Sequence, residues 1–160
     1  MGSTALNPNH ALATVNMGVV VTNLANSTAF YANVIGMDFI TTIPITAAQS
    51  QSSGFAGGQA FNIHLYQTQG VKGATGVKLI EFEGTSAMPT QGGINDYAGI
   101  NYLTFTFDQI AYQEVIDRAV KAGHLPLGNI NTPEWQATYV RDPDGVFIEL
   151  ITFGSEFAQN

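Results

Sequence analysis

Hydrophobic and polar positions along the chain change period several times, and each change predicts an element. Val15 to Val21 is a β-branched, apolar run and reads as a strand. Asn23 stands where it can cap a helix in which Leu24, Ala29-Phe30, Val34 and Ile35 recur at helical spacing, and Gly36 supplies the stop. Asp38 to Ile45 predicts a second strand. Residues 46–58, rich in Ala, Gln, Ser and Gly, predict a loop long enough to serve as a lid. Over residues 61–67, Phe61, Ile63 and Leu65 alternate with Asn62, His64 and Tyr66, so that strand has an apolar face and a polar one. If the polar face is the concave one, His64 points inward beside a strand over Val77 to Glu83; the plainer alternative is a cross-strand pair at the rim. Residues 84–98 carry Thr, Ser, Pro, Gln and Gly-Gly and read as a linker.

The pattern then starts again. Tyr102 to Phe107 is a strand, Asp108 an N-cap, and Ile110 to Ala122 a helix closed by Gly123. Leu125 to Ile130, Trp135 to Arg141 and Val146 to Phe153 complete the strands, the last two joined by the turn Asp142-Pro143-Asp144-Gly145. Asn16 lies 20 residues before Gly36 and Tyr102 lies 21 before Gly123, while Leu79-Ile80-Glu81-Phe82 and Phe147-Ile148-Glu149-Leu150 close the two halves with one tetrapeptide type. The economical reading is an α+β protein of two tandem βαβββ modules. Its parts are an arm over 1–13, modules over 14–84 and 99–154, a linker over 85–98 and a tail over 155–160.

Composition narrows the partners. With 45% hydrophobic and 11% charged residues, 160 residues suit one compact unit or two small modules sharing a core. Five basic against twelve acidic residues, a formal charge of -7, argue against nucleic acid and against an anionic membrane surface. The absence of cysteine excludes disulfides, thiolate nucleophiles and cysteine zinc sites. No apolar run reaches the ~18 residues of a membrane span, and no basic-then-apolar leader is present. Low charge with abundant Asn, Gln and Thr suits an exported protein whose leader was removed as well as a cytoplasmic one.

Two glutamates carry the candidate chemistry. Glu81 and Glu149 each interrupt an apolar strand, and an ionised carboxylate there is costly unless it is paired, hydrogen-bonded or metal-bound. The plainer alternative is a solvated Glu on an open sheet face. Tyr102, Tyr139, Trp135, Phe147 and Tyr66 are candidates to line an aromatic pocket, and several of them suit plain core equally. Asp142 and Asp144 are best read as turn residues. No phosphate loop and no Ser/His/Asp elbow is visible.

The run Val21-Thr22-Asn23-Leu24, Ser27, Phe30-Tyr31, Val34-Ile35-Gly36-Met37 resembles the opening motif of the vicinal oxygen chelate superfamily. Arg141-Asp142-Pro143-Asp144-Gly145 with Phe147-Ile148-Glu149-Leu150 resembles its closing motif. That superfamily includes glyoxalase I, extradiol dioxygenases and the fosfomycin and bleomycin resistance proteins. The resemblance implies paired βαβββ modules whose sheets curve around one cavity, commonly in a homodimer. It also implies four ligand positions, which fall on Asn16, Glu81, Tyr102 and Glu149. Asn16 and Tyr102 stand where metal-using members carry His or Gln, and losing both imidazoles removes most affinity for Zn or Ni. The expectation is therefore no cofactor, or a weakly held Mg or Mn on Asn16, Glu81 and Glu149. Two functions follow for a small-molecule partner. One is a lyase, isomerase or dioxygenase on an oxygenated substrate, with Glu149, Tyr102 and His64 catalytic. The other is a metal-free sequestering protein of the bleomycin-resistance type. In either, Asn62, Tyr66, Trp135 and Phe147 would touch the ligand.

Overall fold

The computed structural model describes residues 15–68, 74–89, 92–96 and 98–154. The expected arm and the expected tail lie outside them. Strand β1 (Asn16–Val21) leads into helix α1 (Leu24–Thr28), which runs on without a break as a π-helical stretch over Ala29–Ile35. Asn23 caps it by accepting from the Asn26 N–H at 2.9 Å. Strands β2 (Met37–Ile45), β3 (Phe61–Thr68) and β4 (Gly76–Glu81) follow, with β1 parallel to β4 and the spatial order β1-β4-β3-β2.

The second half repeats this plan. It consists of β5 (Tyr102–Phe107), α3 (Gln109–Lys121), β6 (Gly128–Asn131), β7 (Trp135–Arg141) and β8 (Phe147–Phe153) in the order β5-β8-β7-β6. Asp108 caps α3 by accepting from Ala111 N–H at 2.8 Å. The result is an α+β fold of two four-stranded mixed sheets, neither closed into a barrel. No helix among the described residues is long and apolar enough to cross a membrane.

One expected loop is partly helix. Ala47–Ser53 forms α2, because Thr46 and Gln49 make a reciprocal capping box at its start: Thr46 Oγ1 accepts from Gln49 N–H and Gln49 Oε1 from Thr46 N–H. Propensity read over a polar stretch does not reveal this, since the helix is short and its cap does the work.

Each sheet turns one face to the helices. Val19, Val21, Val77 and Leu79 of the first sheet and Leu103, Val140, Ile148 and Leu150 of the second are buried, together with Phe30, Tyr31, Val34, Val115 and Ala119, in one continuous core. The halves are joined by more than apolar contact. The Asp142–Gly145 turn is driven into the first module: Asp144 accepts from the Thr22 N–H at 2.9 Å, the Thr22 hydroxyl and the Ser27 hydroxyl, and Tyr31 donates to Asp142 at 2.9 Å. Both aspartates are buried. Gly145 holds a φ of 90°, and a Cβ there would lie 2.9 Å from the Met88 carbonyl oxygen, so the turn takes glycine on both counts. From the other side, Arg118 Nε of α3 donates to the Val34 carbonyl at 2.8 Å.

The turn's chemistry sets a testable pH dependence. Burial raises the Asp142 pKa, although the Val146 N–H, the Tyr31 hydroxyl and the Asp144 N–H all favour its ionised form. Burial, then the Asp142 charge, raises Tyr31 well above the ordinary phenol value. The folded protein thus holds the Asp142 proton more tightly than the unfolded chain. Its contribution to stability is full below about pH 4 and declines as pH rises through the folded value. Asp142→Asn abolishes that decline, so the variant-minus-wild-type unfolding free energy should rise with pH across this window and then level. Tyr31→Phe strands the Asp142 acceptor and should cost about 1.5–3 kcal/mol at neutral pH. Urea denaturation between pH 4 and 8 checks both; a flat difference for Asp142→Asn would refute the assignment.

Candidate functional site

The sheets' other faces carry the candidate chemistry, and strand register fixes which side chains share them. In the second sheet Thr104, Glu149, Tyr139 and Gly128 form one row across four strands, with Tyr102, Phe147 and Arg141 in the row beside it. Glu149 is half-buried and fully wired: Thr104 Oγ1 donates to Oε2 and Tyr139 Oη to Oε1, each at 2.7 Å. That second bond, before burial and the Glu149 charge, pushes the Tyr139 pKa up to about 12. Arg141 stacks 3.8 Å above the Phe147 ring and donates to the Gly145 and Gly92 carbonyls. Glu149, Tyr139, Tyr102, Phe147, Leu127, Gly128 and Ile94 line an open hollow of about 360 Å³, with the carboxylate among aromatic and aliphatic side chains. Trp135 lies on the same face, two rows further along β7.

The first sheet differs from expectation in two ways. His64 pairs across the ladder with Leu79, and Tyr66 with Val77, both core residues. The polar face of β3 therefore looks toward the helices. Tyr66 is buried, with its hydroxyl 2.9 Å from that of Thr28, while His64 Nδ1 meets the Thr42 hydroxyl at 3.0 Å and Asn62 shares their side. Hydroxyl partners make this face acceptable beside the core, and apolar Ile63 and Leu65 face out instead. Asn62, His64 and Tyr66 are thus not brought to the open face.

The second difference concerns register. Glu81 ends β4 on the helix side, opposite Val21, where Oε1 accepts from the Leu24 N–H at 3.0 Å and complements the start of α1. In β1 and β5 the equivalent residues are Asn16 and Tyr102, which face Gly76 and Phe147 respectively. Two steps on, Gly18 faces Lys78 while Thr104 faces Glu149. The position equivalent to Glu149 is therefore Lys78. Matching the glutamates of the two tetrapeptides had shifted the repeat by three residues. The signal available in the sequence was Lys78 itself, the one basic residue of β4. Thr104 was likewise legible only from the β5–β8 register.

This donor set does not fit a divalent cation. Lys78 places an ammonium where a carboxylate would ligate, and Tyr102 offers a phenol. The Asn16 amide oxygen is occupied by the Gly76 N–H at 2.8 Å. Among the described residues no three His, Asp or Glu side chains cluster.

The Tyr139–Glu149 bond is directly measurable. In wild type the Tyr139 phenol should titrate near pH 12, and Glu149→Gln should bring it back toward ~10 by removing the charged acceptor. Tyrosine-resolved NMR across an alkaline titration reads this, and no change on substitution would show that the bond is not formed.

These features meet a consistent set of known proteins. No curated protein sequence matches this chain significantly. Among solved structures, a glyoxalase family protein from Bacillus cereus aligns over 93% of this chain and 99% of its own at 23% identity, with a TM-score of 0.75. A glyoxalase/dioxygenase from Nostoc punctiforme covers 97% of this chain and 100% of its own at 16% identity and TM-score 0.66. A mutant of the genomically encoded fosfomycin resistance protein from Listeria monocytogenes, complexed with Mn(II) and 1S,2S-dihydroxypropylphosphonic acid, aligns over 90% and 94% at 16% identity and TM-score 0.60. At such identities the likeness is one of fold. The sequence itself matches the family model over residues 8–150, and with the paired βαβββ modules this makes the chain a member of the Glyoxalase/Bleomycin resistance protein/Dioxygenase superfamily.

Proposed function

We propose that this superfamily member is a metal-independent small-molecule binding protein, in the manner of bleomycin-resistance sequestration. Its second sheet would offer Glu149, within an aromatic hollow, to a ligand carrying an ammonium or hydroxyl group. The observation that supports this most is the wiring of Glu149. Held by Thr104 and Tyr139, the carboxylate is fixed before a ligand arrives, and each oxygen keeps acceptor capacity for a ligand N–H or O–H. Tyr102 and Phe147 supply ring surface for an apolar body or a cation. A second observation favours binding over turnover. The Tyr102 hydroxyl makes no hydrogen bond among the described residues, and its side chain is 46% exposed. A donor meant for developing oxyanion charge is expected to be preorganised. Glu149 as base, Tyr102 as donor and the lyase, isomerase or dioxygenase alternative remain the competing assignment for the same hollow.

Naphthylmethylammonium is a suitable probe, with naphthylmethanol as its neutral isostere. Calorimetric titration should give tighter binding of the ammonium, lost by about tenfold in Glu149→Gln. Tyr102→Phe should leave affinity within about twofold, because only the ring is used. Equal affinities for both probes, or a Glu149→Gln variant that binds like wild type, would remove Glu149 from recognition. Zn or Mn added to the wild type should leave these affinities unchanged. The resemblance also carries a homodimer with it, which sedimentation equilibrium would report as twice the chain mass.

A further inference from the structure

The two sheets repeat one backbone plan, yet their equivalent positions carry opposite charges, and only one charge is satisfied. In the second sheet the neighbours of Glu149 on either side are Thr104 and Tyr139, and both donate to it. In the first sheet the corresponding neighbours of Lys78 are Gly18 and Leu65, which offer its ammonium nothing. Lys78 is half-buried and makes no hydrogen bond or ion pair among the described residues.

Gly18 leaves open space where a Cβ would stand, so no side chain of β1 covers the lysine from that strand. Asn16 lies diagonally across on the same face. Its carbonyl oxygen accepts from the Gly76 N–H, and its amide NH2 has no hydrogen-bond partner among the described residues. Val20 and Ile80 form the next row and keep the local medium apolar, which strengthens a charge pair. Among the strand residues on this face the one carboxylate is Asp38, two strands and one row away. Sheet spacings put that at about 12 Å, too far to pair.

We propose that Lys78, assisted by the Asn16 amide, is the anion-recognition position of the first sheet and takes a carboxylate borne by an apolar ligand. The proposal rests on the reading that the open faces bind small molecules, and it names the chemistry that the first sheet's face would take: an acidic group on an apolar body.

Naphthoate and its neutral counterpart naphthamide test it, by ligand-observed NMR on the full chain. Wild type should bind naphthoate about tenfold more tightly than naphthamide, and Lys78→Met should abolish that preference while leaving naphthamide unchanged. Lys78→Arg, which keeps the charge, should retain the preference, and Asn16→Asp should weaken naphthoate alone. A Lys78→Met variant that binds naphthoate as wild type does overturns the proposal, as does the absence of naphthoate binding to wild type up to about 10 mM. Naphthylmethylammonium separates the two levels. If it binds through Glu149 while naphthoate fails, the anion position falls and the binding function stands; if neither probe binds, both fall.

Discussion

The structure depends on a buried pair of aspartates. Each βαβββ module has a sheet, a helix and half a hydrophobic core, and none of these fixes how the halves sit against each other. Asp142 and Asp144 do. They leave the β7–β8 turn, enter the first module, and are met there by Thr22, Ser27 and Tyr31, which lie just after β1 and along the first helix. Hydroxyl and amide donors at fixed positions make the contact directional in a way that apolar packing is not. A carboxylate in such a place is tolerated because its acceptors are occupied, and removing one donor costs more than the bond itself contributes. The opening and closing motifs that carried the family resemblance are the two sides of this contact, which gives the spacing of Ser27, Tyr31 and the Asp-Pro-Asp-Gly turn a physical cause.

With the modules locked, the faces turned away from the core are the ones left to vary. There the repeat keeps its backbone and varies its side chains. One sheet carries a carboxyl group supported by a threonine and a tyrosine; the other carries a lysine between a glycine and a leucine. A scaffold that places equivalent Cα atoms in both halves can convert a chelating set into a pair of opposite charges by changing a few side chains, without disturbing the hydrogen-bonded frame.

Much of the fold was legible because burial imposes period. The apolar alternation of β1 and β8 and the helical spacing of Leu24, Phe30 and Val34 each have one solution. Asn23, Asp108 and Gly36 mark ends by local hydrogen bonding or left-handed backbone. The site was less legible for a related reason. Alternation says that His64 and Tyr66 share a face, but not which face, and hydroxyl partners, Thr28 on the first helix and Thr42 on β2, suit the polar side of β3 to the inner position. Glu81 and Glu149 look alike in sequence and differ in space, because a ladder aligns residues by hydrogen bonds and not by identity. One odd step exchanges the two faces of a strand. Thr104 and Lys78 acquire meaning only once that ladder is known.

The order in which the chain leaves the ribosome gives the aspartate contact one more consequence. Thr22 and Tyr31 precede their partners by 122 and 111 positions, so the first module has been synthesised long before the turn exists. Until then the Tyr31 hydroxyl has no carboxylate to meet, and the side of the first helix that will be covered stands open to water. Loop entropy is a small obstacle, because doubling a loop costs only about 0.6 kcal/mol. The slow element is the need for two finished surfaces. A contact made only after both modules are formed is one whose loss accelerates unfolding more than it slows folding. A nascent first module is accordingly a partner in search of its second half, and the same donors that secure the finished molecule are the ones through which an unfinished one would accept the turn of a neighbouring copy.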